Sequence, residues 1–169
     1  MERDILERLQ RLEDVQSIIQ MIAAYGPAAD ACVEDWLAEF WSDDVVYDMG
    51  TLGTFTGKAE LMPVYREHAH QTLIAGGSAH IGSIPHVTVE GDRAQAVHYA
   101  TLFRHHQGHF ELFRLAAAVW SFRRRDDGRW EATERVLRNL TGDPTARDLL
   151  GSFVEKPRQA SEQAGAEQK

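Results

Sequence analysis

The sequence has little of several features that mark particular classes of protein. Its 169 residues include a single cysteine, Cys32, so no disulfide can form within the chain and a reducing compartment is expected. No apolar run approaches the roughly 18 residues needed to cross a bilayer. The charged N-terminus, residues 1–4, lacks the apolar core of a signal peptide. Lys and Arg number 18 against 26 Asp and Glu, and a net charge of −8 argues against nucleic acid as a partner. We therefore expect a cytoplasmic protein that binds neither membrane nor nucleic acid.

Motifs for metals, nucleotides and nucleophilic catalysis are also missing. His68 and His70 lie two residues apart on a predicted helix and so point in different directions, and no HExxH spacing or cysteine pair supports them. Gly76-Gly77 matches neither a P-loop nor a dinucleotide-binding turn. Cys32 has no evident histidine partner. We expect neither a metal nor a cofactor.

The composition is that of an ordinary globular domain, with 43% hydrophobic and 26% charged residues. The length suits one domain, which we assign to residues 1–150. Residues 151–169 are rich in Glu, Gln, Ala and Lys without a hydrophobic stripe, and this composition predicts a disordered tail.

Helices are predicted mainly in the first half of the chain. Apolar residues at spacings of three and four from Ile5 to Ile22 predict an amphipathic helix that buries one face and runs to about Tyr25. Gly26-Pro27 predicts a kink or a restart there. Two further helices are predicted over residues 33–41 and 58–71.

Strands dominate the second half. After a short strand at 45–47, the pattern predicts a meander with strands at 86–89, 94–106, 110–124 and 130–140. This order predicts an α+β cone, in which helices pack on one face of a strongly curved, mostly antiparallel sheet and enclose a pocket. The other sheet face is predicted to meet a second subunit. On strand 94–106, alternation puts His98 on one face and Phe103 and His105 on the other.

One carboxylate and one imidazole stand out as candidate chemistry. Asp30 lies on a core-side helix, where an acid is rarely buried without a partner. If His80 is that partner, the carboxylate would fix the imidazole tautomer and make it a better base. Tyr25 or Tyr47 could then donate a hydrogen bond to a developing oxyanion. The alternatives stay open: Asp30 exposed near a helix end, His80 a packing residue, and both tyrosines core residues.

Tyr25 and Asp30 also raise a geometric question. They lie about 140° apart on an ideal helix, so they converge only if Gly26-Pro27 distorts it.

Five segments together resemble the SnoaL-like branch of the nuclear-transport-factor-like superfamily, which includes scytalone dehydratase and hexachlorocyclohexane dehydrochlorinase. They are IIQMIAAYGPAAD, WLAEFWSDDVVYDMG, GTFTGKAEL, SAHIGSIPHVTVEGDRAQAVHYATLF and DDGRWEATERVL. The resemblance covers roughly residues 10–140. It implies a catalytic Asp30–His80 dyad, assisted by Tyr25 and Tyr47. It also implies a second histidine, His105, with His98 as the alternative.

The resemblance further implies a cofactor-independent lyase of the dehydratase type that acts on a hydrophobic cyclic or aromatic small molecule. Isomerase, dehydrochlorinase and carbon–carbon lyase activities remain alternatives, as does a non-catalytic binding or assembly module. The last would show a pocket filled by side chains, or a dyad too far apart to hydrogen-bond. By analogy we expect a homodimer or homotrimer. The candidate substrate-binding residues are Trp41, Tyr65, Phe103, Trp120 and His98.

Overall fold

The computed structural model describes residues 2–153, which form five helices and seven strands. The helices are α1 (Glu2–Asp30), α2 (Glu34–Phe40), α3 (Lys58–Leu61), α4 (His68–Ala75) and α5 (Pro144–Phe153). The strands are β1 (Trp41–Asp48), β2 (Thr54–Thr56), β3 (Ser78–Gly82), β4 (His86–Glu90), β5 (Arg93–His106), β6 (His109–Arg124) and β7 (Trp130–Asn139). Short 3-10 turns cover Gly50–Leu52 and Met62–Arg66. Within residues 2–153, no helix is long and apolar enough to cross a membrane.

All seven strands belong to one sheet. Its order is β2-β1-β7-β6-β5-β3, and β4 pairs with β5 as well. Every pairing is antiparallel except that of β1 with β7. Bulges interrupt the β5–β6 and β6–β7 ladders, where they bend the strands and increase their twist. The helices pack against this curled sheet, so the predicted α+β fold class is confirmed.

Helix α1 buries only its C-terminal half. Burial begins at Asp14 and continues through Ile18, Ile22 and Tyr25 at helical spacing. The expectation that the stripe from Ile5 onward faces the core is wrong for the first turns, because residues 2–13 are all exposed. The helix first contacts the sheet at Asp14, which accepts hydrogen bonds from Arg124 and Trp130.

The helix also continues through Gly26-Pro27, so the predicted restart is wrong. Pro27 lies on the exposed side, and its carbonyl accepts a hydrogen bond from the Ala31 N–H at 2.9 Å. The missing N–H of Pro27 would have bonded the carbonyl of Ala23, which belongs to an exposed residue that water can reach. The proline is therefore tolerated inside α1.

Three other boundaries differ from the predictions. The helix predicted over 58–71 is divided into α3, a 3-10 turn and α4, with Pro63 in the turn. Strand β1 begins directly after α2, at Trp41. Helix α5 was not predicted, and its last residues, 151–153, fall in the predicted tail. The rest of that tail, residues 154–169, lies outside the described residues.

Aromatic side chains fill the space between α1, α2 and the sheet. Tyr25 of α1 makes edge contacts with Trp41 and Trp120, at ring-centroid distances of 5.7 and 5.2 Å. Phe40 packs edge-on against both tryptophans. The interior of the cone is thus largely occupied by its own aromatic side chains, and these surround the candidate site.

Candidate active site

The last residue of α1 contacts the middle of β3. The Nδ1 of His80 lies 2.7 Å from Oδ1 of Asp30, and the His80 backbone N–H donates to Oδ2, also at 2.7 Å. The Ser78 hydroxyl donates to Oδ1 at 3.4 Å. The side chains of His80 and Asp30 are 17% and 21% exposed. The structure therefore brings the predicted pair together in a partly buried setting.

The electrostatics of the pair define the histidine tautomer. Burial acts to raise the pKa of Asp30, but hydrogen bonds from the His80 imidazole and backbone and from Ser78 outweigh it and hold that pKa below its ordinary value. An ionised carboxylate only accepts hydrogen bonds, so Nδ1 of His80 carries the proton. In the neutral imidazole this leaves Nε2 with a lone pair, as a general base requires.

Gly26 makes this contact possible. A Cβ atom at position 26 would lie 2.1 Å from the carbonyl oxygen of His80. Only a residue without a side chain lets β3 approach α1 so closely. Gly26 therefore positions His80 next to Asp30, which is a different role from the predicted kink.

A hydrogen-bonded chain of aromatic residues lies beside the pair. The Tyr65 hydroxyl accepts from Trp41 Nε1 at 3.0 Å and shares a hydrogen bond with the Tyr25 hydroxyl at 3.1 Å. Burial raises the pKa of Tyr65 to about 12 and that of Tyr25 further above its ordinary value. Both phenols are therefore neutral at physiological pH. Tyr25 and His80 both line the cavity, whereas Trp41 and Tyr65 do not.

Arg135 of β7 was not predicted and lies at the centre of the site. It is 5% exposed, and its Nη1 donates to the Tyr47 hydroxyl at 2.7 Å. Its guanidinium lies over the rings of Trp120 and Tyr25, at 4.2 and 4.5 Å from their centroids. Tyr47 is thus held by a cation, and burial raises its pKa above the ordinary value.

A β-bulge explains why the sequence pattern did not predict that Arg135 faces the interior. Ser121 pairs with Glu134 and Phe122 with Ala132, so Thr133 is an extra residue. Simple alternation from Ala132 puts Arg135 on the outer face, but the extra residue shifts the phase and turns it inward. The sequence gives no sign of that bulge.

His98, not His105, is the histidine of β5 that faces the interior. His98 is 6% exposed, and its Nε2 accepts from Trp120 Nε1 at 2.9 Å, while its Nδ1 is buried with no hydrogen-bond partner among the described residues. Burial, followed by the charge of Arg135, lowers the pKa of His98 to about 4. Gly82 makes room for this ring, because a Cβ there would lie 2.7 Å from it.

The expected catalytic place of His105 is therefore corrected. His105 is exposed at the end of β5, with its ring 5.3 Å from that of Phe110. Phe103 has the same strand parity as His105, and neither residue lines the cavity. Of the five predicted substrate-binding residues, only His98 and Trp120 line it.

The cavity itself is small. Its volume is about 30 Å³, room for one or two water molecules. Its polar lining comes mainly from His80, His98, Arg114 and Arg135. A substrate of the predicted size requires side chains to move. A larger groove of about 850 Å³ between α1, α2 and the β6–β7 hairpin contains none of the predicted site residues.

Among residues 2–153, no group of three or more His, Cys, Asp and Glu side chains is arranged to hold a metal ion.

Comparison with known proteins assigns the family. The model of the SnoaL-like domain matches residues 10–136, and the chain belongs to this family. It is similar to the crystal structure of an NTF2-like protein with a cystatin-like fold from Novosphingobium aromaticivorans. The two are 37% identical, with 88% of this chain and 96% of that chain covered and a TM-score of 0.84. A comparison with curated proteins gave no match.

Two more distant structures share the fold. One is hexachlorocyclohexane dehydrochlorinase LinA-type3 from Novosphingobium barchaimii, at 20% identity, covering 79% of this chain and 90% of that chain with a TM-score of 0.64. The other is a proposed dehydratase of the NTF2-like family from Streptomyces avermitilis, at 18% identity, covering 78% and 99% with a TM-score of 0.62.

Proposed function

We propose that this protein is a cofactor-independent lyase that eliminates water from a hydrophobic cyclic or aromatic small molecule. The observation that carries the proposal is the 2.7 Å contact between Asp30 and His80, which places the imidazole in the lining of the interior cavity. Asp30 fixes the tautomer, and Nε2 of His80 removes a proton from carbon. The electron pair left by the broken C–H bond then forms a C=C bond and expels the hydroxyl from the neighbouring carbon. The proton then joins that hydroxide to give water.

The neutral hydroxyl of Tyr25 would assist the leaving group, because Tyr25 lines the cavity with His80 and stays protonated, since its pKa is raised by burial. Tyr47 is not among the described residues that line the cavity, so it would act by holding Arg135 in place through the hydrogen bond that it accepts. His98 and Arg135 replace His105 in this proposal, because His105 is exposed outside the cavity.

Other reactions begin with the same proton abstraction. Loss of chloride instead of hydroxide gives a dehydrochlorinase, and return of the proton to another carbon gives an isomerase. A carbon–carbon lyase is the third variant. The names of the structural neighbours support elimination, since they include a dehydrochlorinase and a proposed dehydratase.

A non-catalytic binding or assembly module is the second candidate. The small cavity favours it, because side chains fill most of the cone. The close contact of Asp30 with His80 favours catalysis, because a structural scaffold has no need of an oriented, partly buried imidazole that still reaches a cavity.

Turnover of variants on a panel of cyclic and aromatic hydroxy compounds tests the proposal. We expect His80→Ala and Asp30→Asn to lower kcat by about 10²–10⁴-fold, because the first removes the base and the second its orientation. His105→Ala is the matched control and should keep wild-type turnover. Circular dichroism checks that each variant folds. Wild-type turnover by folded His80→Ala would contradict the proposal.

A further inference from the structure

Two arginines of the cone interior have no carboxylate partner in the part of the chain that the structure describes. Arg114 of β6 and Arg135 of β7 both line the cavity. No Asp or Glu is among the described residues that line it. Within residues 2–153, neither arginine takes part in an ion pair. Four other arginines of the sheet are paired with acids: Arg104, Arg123, Arg124 and Arg138.

The neighbouring titratable groups do not neutralise this charge. The phenols of Tyr25, Tyr47 and Tyr65 are protonated, because burial raises their pKa values. His98 is neutral, and the charge of Arg135 adds to the effect of burial in lowering its pKa. The Asp30 carboxylate already accepts hydrogen bonds from His80 and Ser78. The cavity is therefore electropositive.

Arg135 also keeps an unused donor. Its Nε–H is buried and finds no hydrogen-bond partner among residues 2–153, although the residue is only 5% exposed. Its Nη1 donates a hydrogen bond to Tyr47. A buried cation normally has its donors satisfied, since an unmade bond there is costly. Arg114 is half-buried at the same cavity, and burial lowers its pKa.

We propose that the cavity binds a small organic carboxylate, anchored by Arg135 and Arg114. A guanidinium offers a planar pair of N–H donors that matches a carboxylate, and the negative charge of the ligand would offset part of the positive charge of the two arginines. To enter, the ligand would have to displace the side chains that narrow the cavity. Of the two arginines, half-buried Arg114 is the more accessible.

For the reaction itself, the inference rests on the proposed function. If the protein is a dehydratase that binds a carboxylate at these arginines, its substrate is a β-hydroxy acid. His80 would take the proton from the carbon next to the carboxylate, and the electron pair would pass into the carboxylate as an enediolate. The arginines would stabilise the second negative charge. Loss of hydroxide from the β-carbon then gives the unsaturated acid, and the hydroxide takes up the proton as water.

Binding of simple anions tests the inference independently of catalysis. The full-length protein is titrated with acetate, cyclohexanecarboxylate and benzoate, and with benzamide and phenyl phosphate as comparison ligands, by calorimetry and by the shift in Tm. We expect at least one carboxylate to bind and to raise Tm, and benzamide to do neither. A phenyl phosphate that binds more tightly than every carboxylate would overturn the assignment to carboxylic acids.

Variants assign the anion to the two arginines. Arg135→Met and Arg114→Met should each weaken carboxylate binding by tenfold or more. Arg138→Met, on the same strand but paired with Asp48, should leave it unchanged. If Arg135→Met does not fold, Arg114→Met decides the question. Undiminished binding by the folded arginine variants, or equal binding of benzoate and benzamide, would overturn the inference.

The same titration separates this inference from the proposed function. His80→Ala should bind the carboxylate as the wild type does, since His80 is not an anion ligand in this scheme. Carboxylate binding without turnover on any β-hydroxy acid would leave the anion site standing and count against the lyase. Failure of every carboxylate to bind would overturn the anion site, while the His80 and Asp30 kinetics would still decide the lyase.

Discussion

The sequence predicts the positions of some interior residues and not of others. Asp30 was identified because an acid on a core-side helix needs a partner, and His80 supplies it at 2.7 Å. Tyr25 was a candidate from its place beside Gly26-Pro27 and from the family resemblance, and His98 was the alternative to His105; both line the cavity. Arg135 could not be found in this way, because the extra residue Thr133 reverses the alternation.

His98 should make stability depend on pH. Its pKa is about 4 in the folded protein against an ordinary value of 6.5, so between these values the unfolded chain binds more protons. We expect the free energy of unfolding to fall as pH drops from about 6.5 to 4, with His98 contributing up to about 3 kcal/mol. Urea unfolding at a series of pH values measures this slope.

His98→Gln is the matched variant for that measurement. Glutamine keeps an acceptor for the indole N–H of Trp120 but does not titrate. Its unfolding free energy should change less steeply over the same pH range. Equal slopes for the variant and the wild type would show that His98 is not the group responsible.

At the scale of elements, the strands were easier to predict than the helices. Strands β5, β6 and β7 are separated by Gly-containing turns that mark their ends, so their predicted ranges agree closely with the structure. The amphipathic pattern of α1 was recognised, but the pattern alone does not tell which turns extend past the sheet. Helix α5 was missed because its short segment, PTARDLLGSF, follows the last strand with few apolar residues.

The contact between α1 and β3 should be sensitive to one methyl group. Gly26→Ala would place Cβ 2.1 Å from the His80 carbonyl oxygen, so the helix and strand must separate. We expect a loss of about 1–3 kcal/mol in the free energy of unfolding, together with a lower kcat because Asp30 and His80 move apart. Denaturant unfolding and turnover assays measure the two effects.

Gly151→Ala provides the control for that substitution. Gly151 lies in helix α5, and a Cβ there meets nothing within 4 Å. It should leave stability unchanged or raise it by up to about 1 kcal/mol, as expected for glycine in an open helical position. A Gly26→Ala protein as stable and active as Gly151→Ala would disprove the close-packing argument.

For the whole molecule, the outer sheet face suggests self-association. Tyr99 of β5 and Leu115 of β6 are 50% and 38% exposed, although Ala117 and Val119, of the same strand parity as Leu115, are buried. Helix α5 packs against β5, β6 and β7, so the chain itself already contacts these strands. The remaining apolar surface is available to a second copy.

We propose a homodimer or homotrimer formed through this face. Light scattering coupled to size-exclusion chromatography should give two or three times the 19.1 kDa chain mass. Tyr99→Glu and Leu115→Glu should shift the protein toward the monomer, because a charge in an apolar interface is costly. A wild-type monomer at micromolar concentrations would contradict this assembly.

Deuterium uptake at carbon tests the role of His80 most directly. A compound from the panel that the protein converts is incubated in D₂O, and incorporation into unreacted substrate or product is followed by NMR. We predict that the wild type takes up deuterium at the carbon that loses its proton. The rate of uptake should fall by about 100-fold or more in Asp30→Asn, and His80→Ala should show no uptake. Uptake at the wild-type rate in folded His80→Ala would mean that another group removes the proton.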